Sequence, residues 1–453
     1  MIPVRAIGVS EQAAHRPEPP YRLFIATSLA VAAGGGFVLA LLLPLARALA
    51  WDWGRSWQPA AQAHGQLQLG GFVAIFIAGM ALRVMPRFSG RPLAFASTGA
   101  AIAPLLAAAV LLRAAALPAA DGAGRDVVLV ASAVLGAAGA LLFAAIVWGT
   151  LLSRESRAEA TAWFFLLGAA ALAAQSVLLL ALTAEMVRDS LEMLPPAKDE
   201  ALVTLQLYAF AVMFIGGVGT RAVPTLTGNE RPQAAARVAA FALAAGAAVA
   251  SGAEAWSGFR GASEALARAA DVGLLTAAGG VAALAWGTGV VRPRADRVAA
   301  ASHLPFWFVR AGVGWMVIGA GLLAWYAAHA LHDGRPPDSF EADAARHTFT
   351  LGVVTMLILG MGMLLLPEFA GRRLQRPNER VLPTAMLVAL NAAVVLRVWP
   401  AMRGLHWLSD DRYWPMAASG ALAEAAVLAF ALMFAQSAWE QRTPAWGARP
   451  GQH

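Results

Sequence analysis

Apolar runs separated by short polar breaks rich in Pro, Gly or Arg recur from Leu23 nearly to the end of the chain. A run of about 20 apolar residues crosses a hydrocarbon layer of about 30 Å as a helix. The pattern predicts twelve such helices, α1–α12, near 23–50, 64–86, 93–117, 127–151, 159–184, 201–224, 236–253, 269–290, 304–331, 346–367, 381–399 and 414–438. The expectation is an all-α integral membrane protein, with one membrane domain over 23–438 between an N-terminal tail, 1–22, and a C-terminal tail, 439–453. Pro17, Pro19 and Pro20, with no apolar run before them, predict a tail that is retained rather than a cleaved leader.

Three of the predicted helices share a closing pattern. α2 ends Gly79 through Pro86 to Gly90, α6 ends Gly217 through Pro224 to Gly228, and α10 ends Gly360 through Pro367 to Gly371. Each reads Gly, six residues, Pro, three residues, Gly, at intervals of 138 and 143 residues. Pro and Gly mark many helix ends, but three copies in register, each in the second helix of a group of four, predict a threefold repeat. The implied architecture is three pseudo-symmetric arcs of four helices.

Composition agrees with a lipid environment: of 453 residues, 59% are hydrophobic and 13% charged, and the mean hydropathy is +0.61. Cysteine is absent, which excludes disulfides, thiolate metal sites and covalent c-type heme. The net charge of +7 is scattered over short loops rather than gathered on one face, so nucleic acid is not an expected partner and membrane lipid is. Of the two alternate sets of loops, one carries 12 Lys and Arg and the other 9; Arg5, Arg16, Arg22, Arg442 and Arg449 in the tails raise the first set to 17. The bias predicts both termini in the cytoplasm of a bacterium, with α2, α6 and α10 starting at the outer face of the inner membrane.

Histidine then carries the candidate chemistry, because imidazole is the usual ligand of heme or copper within a membrane. His64 opens the predicted α2 and His347 the predicted α10, at the same ends of equivalent repeat helices. Such a pair suits a six-coordinate heme b, against the alternative that each is a solvated interfacial residue. Gly65, Gly70, Gly71, Gly352 and Gly360 are expected to leave room for a flat macrocycle. Counted from the prolines, His347 matches Gln66 rather than His64, a two-residue offset worth about 200° of rotation. His329 and His332, at i and i+3 near the end of α9, have the spacing to share copper or a second heme, with a polar end cap as the commoner role of such a pair. Arg397 and Arg403, around Trp399, are candidates to clamp carboxylates such as heme propionates, or else an interfacial anchor. Arg310, inside α9, calls for a partner within the protein. The tryptophans, Trp51, Trp53 and Trp57 among them, read as interfacial belts.

The run from His64 through Gly70-Gly71-Phe72 and Pro86-Arg87-Phe88-Ser89-Gly90-Arg91-Pro92, the segment Gly216-Gly217 to Pro224, and His347-Thr348-Phe349-Thr350-Leu351-Gly352 resemble the NnrS family. That resemblance implies a twelve-helix, heme- and copper-containing membrane protein tied to nitric oxide metabolism. The chain is more distantly similar to subunit I of the heme–copper oxidases, which implies His64 and His347 as an axial pair and arginines near Arg397 and Arg403 on the propionates. It departs from both. α6 carries Gln206 and Tyr208 but no histidine, and no His-His pair follows α7, so an oxidase copper centre is not expected. The second histidine usual in NnrS near the start of α2 is Gln66, and an α9 histidine is replaced near Arg310. The expected function is electron transfer or the handling of nitric oxide and related nitrogen oxides, with a quinol, a cytochrome or other respiratory subunits as partners. The alternatives are a non-catalytic heme subunit of a respiratory complex and a twelve-helix transporter.

Overall fold

The structure is a computed structural model that describes residues 21–119, 121–152, 159–291, 294, 303–334, 339–370, 380–402 and 410–440. Among these residues there is no strand, and twelve helices are long and apolar enough to cross a membrane. They are α1 Tyr21–Ala48, α2 Trp57–Ser89, α3 Ala96–Ala116, α4 Ala123–Leu151, α5 Ala160–Arg188, α6 Pro196–Thr227, α7 Gln233–Arg260, α8 Glu264–Gly287, α9 Leu304–Asp333, α10 Phe340–Pro367, α11 Val381–Ala401 and α12 Tyr413–Ser437.

The helices fall into two classes by what surrounds them. The apolar windows of α2, α6 and α10 are 94%, 83% and 78% buried within the protein, whereas no other helix exceeds 50%. The other nine form a closed ring, each packed on the next in the order α1, α3, α4, α5, α7, α8, α9, α11, α12 and back to α1. α2 meets α6 and α6 meets α10 within this ring. The ring helices are apolar all round because one side faces lipid, so hydropathy alone does not separate them from the three they enclose.

The enclosed helices share a further feature. Each contains a π-helical segment: Leu67–Val73 in α2, Leu205–Val212 in α6 and Thr348–Thr355 in α10. All three begin nineteen residues before the proline of their helix, Pro86, Pro224 or Pro367. α2 and α6 both end on a left-handed glycine, Gly90 (φ 67°) and Gly228 (φ 74°), which caps the helix in a conformation that a side chain opposes. Gly371 lies outside the described residues. The closing pattern read in the sequence is thus one end of a longer repeat whose other end is a widened turn.

The enclosed helices also start earlier than hydropathy suggests, at Trp57, Pro196 and Phe340 rather than near 64, 201 and 346. Their first turns carry polar side chains and are partly buried, and a hydropathy reading discards them. His64 and His347 therefore sit about two turns within their helices instead of at the ends. Trp57 does more than mark an interface: its Nε1–H donates to the Leu43 carbonyl at 3.2 Å, and the Arg47 guanidinium lies 4.5 Å from its ring centre.

Lipid supplies no hydrophobic drive between helices, so association rests on close packing at small residues. α7 and α8 show the extreme case. A Cβ on Gly246 would stand 2.4 Å from the Ala277 amide nitrogen and 2.5 Å from the Gly273 carbonyl oxygen, and one on Gly273 would stand 2.6 Å from the Ala250 nitrogen. Backbone atoms cannot yield as a side-chain tip can, so Gly246→Val must push the helices apart. Its thermal unfolding in detergent, followed by circular dichroism, is expected to show a loss of about 1–3 kcal/mol. Gly279→Val, where a Cβ meets nothing within 4 Å, should leave the midpoint nearly unchanged.

Candidate functional site

His64 and His347 are brought together. Their ring centres are 6.5 Å apart and their planes are parallel to within 6°. The two-residue offset along the repeat does not prevent this, because the rings approach each other from two different helices, α2 and α10.

Each ring is held by its Nδ1. In His64 this atom lies 2.9 Å from the carbonyl oxygen of Gly36. Gly36 ends a π-helical segment of α1, Ala32–Gly36, that lies flush on α2. A Cβ at Gly35 would be 3.1 Å from Leu67, and one at Gly36 would be 3.0 Å from the Gln68 amide carbon, so glycines at both positions ease the close approach of that carbonyl. In His347, Nδ1 lies 2.9 Å from the Asp343 carbonyl oxygen and 3.1 Å from its Oδ1. A carbonyl only accepts, so these contacts call for the proton on Nδ1 in both rings, and in the neutral imidazoles that leaves Nε2 its lone pair. This is the tautomer that a metal needs.

The π segments begin one residue after His347 and three after His64. Such widened turns sit most often at functional sites, where they re-aim side chains. Around them, Gln66 and Gln206 are buried beside Gly70, and the Tyr208 ring of α6 meets Phe349 of α10 edge to face at 5.0 Å.

Asp343 is the residue that the sequence reading missed. It stands one helical turn before His347, a spacing that places both on one face. Besides His347 it receives Arg397, whose Nη2 lies 2.7 Å from Oδ2 and 3.0 Å from Oδ1. Arg397 thus turns one nitrogen to a carboxylate of the protein itself, while its Nη1 is buried without a hydrogen-bond partner. Arg403 lies outside the described residues. A further set of charges stands beside α10: Arg346 pairs with Glu200 of α6, Lys198 pairs with Glu185 of α5 at 2.5 Å, and buried Arg113 of α3 donates to Thr183 of α5 at 3.0 Å. Each of these charges, from fully buried Arg113 to partly exposed Arg346, has its partner on another helix.

The remaining expectations fare differently. Gly65 has open space around it, but Gly70, Gly71, Gly352 and Gly360 are filled by Val110, Val31, Trp315 and Phe308 respectively. Those four glycines admit neighbouring helices rather than a macrocycle. His329 is half-buried with its ring 4.9 Å from that of Trp325, and His332 and Asp333 are exposed. Among the described residues no group of three or more His, Cys, Asp or Glu is placed to hold a metal ion. Arg310 stacks on aromatic rings of its own helix, 4.7 Å from Trp307 and 5.3 Å from Phe306, with its Nε buried and unpaired.

The model of the NnrS protein family matches residues 19–442. The chain belongs to the NnrS family. No curated relative matches it. The matched span contains every helix of the NnrS fold described above, both histidines and Asp343 with Arg397, so the paired imidazoles lie within the family's shared region.

The link between Asp343 and Arg397 is open to a double-mutant cycle. Arg397→Gln leaves a half-buried carboxylate facing His347 alone and should lower stability by about 1–3 kcal/mol. Asp343→Asn combined with Arg397→Gln should lose less than the two single changes added together, read by thermal unfolding in detergent. Additive losses would mean that the two side chains do not interact.

Proposed function

We propose that this NnrS-family membrane protein binds heme b through Nε2 of His64 and Nε2 of His347, and acts in electron transfer linked to nitric oxide or related nitrogen oxides. The observation that carries the reading is the pair of parallel rings with their centres 6.5 Å apart. A metal–imidazole nitrogen bond is about 2.0–2.1 Å, so two imidazoles in line on one iron would have ring centres about 6.3–6.5 Å apart. Both rings also have their other nitrogen engaged on an oxygen acceptor, which favours the metal-binding tautomer. When bound, heme b supplies a one-electron iron couple.

The protein's own residues then have distinct parts. His64 leans on a neutral backbone carbonyl, whereas His347 leans on Asp343, whose negative charge makes that imidazole the stronger donor. Arg397 fixes Asp343 and offsets part of its charge, and its unpaired Nη1 leaves a donor for an anionic group such as a propionate. Arg403 belongs to the same proposal on sequence grounds alone. A second heme or copper at His329 and His332 stays the weaker reading, since the two side chains differ in exposure and one lies on Trp325.

The same reading puts the protein in the bacterial inner membrane with both termini cytoplasmic, on the charge bias of its loops, and looks to a quinol, a cytochrome or another respiratory subunit for its electrons. The paired rings, each with Nδ1 on an oxygen acceptor, favour a heme protein over a carrier of metal-free solutes. The test is a reduced-minus-oxidised visible spectrum of the purified protein. The parent chain should show the sharp alpha band of a six-coordinate heme b, and His64→Ala and His347→Ala should each abolish it. An unaltered spectrum in either variant removes that histidine from the iron.

A further inference from the structure

A second feature stands apart from the histidines. An apolar cavity of about 80 Å³ lies among α2, α6, α9 and α10 and the end of α8. Met80, one of its walls, is sixteen residues beyond His64 along α2, about 24 Å at 1.5 Å per residue. The cavity is therefore near the proline ends of the enclosed helices and is no part of the imidazole pair.

Its lining decides what it can hold. Met80, Ala81, Val313 and Leu357 present carbon and thioether surface, and the one hydroxyl, that of Thr288, already donates to the Ala285 carbonyl at 2.8 Å. A quinol head group or a lipid phosphate needs hydrogen-bond partners that these walls do not offer. Water needs two to four, so this lining does not hold it, although the pocket is half open rather than sealed. Size narrows the class further. An apolar cavity of about 150 Å³ takes up benzene or xenon; one of about 80 Å³ suits the smaller of these guests. Gly219 of α6 faces it, and a Cβ there would have no heavy atom within 4 Å. The open space is thus bordered by a backbone that keeps no side chain in it, although the helix would gain from one.

We infer that this pocket is a binding site for a small, uncharged, apolar molecule no larger than xenon, held by dispersion among α2, α6, α9 and α10. The inference does not depend on which cofactor His64 and His347 bind.

Xenon is the probe, since it is apolar, of suitable size and chemically inert. The full-length protein in detergent is titrated with xenon pressure and followed by ¹²⁹Xe NMR, beside Gly219→Ala and Gly219→Leu. The parent should show saturable binding, Gly219→Ala should retain it with weaker affinity, and Gly219→Leu should lose it. Melting temperature and visible spectrum should be unchanged in both variants, because leucine grows into open space and is a better helix former than glycine. Absence of saturable binding in the parent overturns the inference. So does equal binding in Gly219→Leu, or a lipid chain found filling the cavity of the purified protein.

Discussion

A polar group inside a membrane protein must find its partner within the protein, and two hydrogen bonds that meet this demand define the candidate site. The Nδ1–H groups of His64 and His347 donate to the carbonyl oxygens of Gly36 and Asp343. Each bond satisfies a donor that would otherwise be stranded, and it also decides which nitrogen stays free. Ring orientation and tautomer thus follow from one requirement. The glycines of α1 that admit the Gly36 carbonyl, and the acid placed one turn before His347, are the sequence's means of meeting it.

The arrangement of the helices follows from the same scarcity of water. The three enclosed helices carry His64 and His347, the buried Gln66 and Gln206 and three of the π segments, and nine others surround them, closing the ring where α12 packs on α1. Enclosure lets α2, α6 and α10 depart from regular α-helix, because their loosened turns face protein rather than lipid. It also accounts for the partners of the embedded charges: Arg346 with Glu200, Lys198 with Glu185, Arg397 with Asp343. The apolar cavity near the opposite ends of the same three helices reflects the complementary condition, a space with no polar wall and so no claim on water.

Much of this was legible from the order of residues. Twelve apolar runs announced twelve helices, and the spacing of Pro86, Pro224 and Pro367 singled out the three that the structure encloses. The pairing of His64 with His347 was legible because each opens the apolar run of a repeat helix, although the count from the prolines set them two residues apart. Other features were hidden for physical reasons. The polar first turns of α2, α6 and α10 carry no hydropathy signal, although they are partly buried. A π segment has no composition of its own, so the register shared by Leu67, Leu205 and Thr348 shows only in the backbone. Asp343 was legible in principle, as an acid four residues before a histidine, but it precedes the apolar run that marks α10. Glycines mislead in the opposite direction: Gly70 and Gly352 look like space for a cofactor and are occupied by Val110 and Trp315.

The central claim is that one metal takes a nitrogen from each of these two rings. Hyperfine spectroscopy of the oxidised protein, with histidine labelled by ¹⁵N, counts the imidazole nitrogens bound to iron. The account predicts two magnetically coupled histidine nitrogens on a single low-spin heme per chain. One such nitrogen, or none, would contradict it.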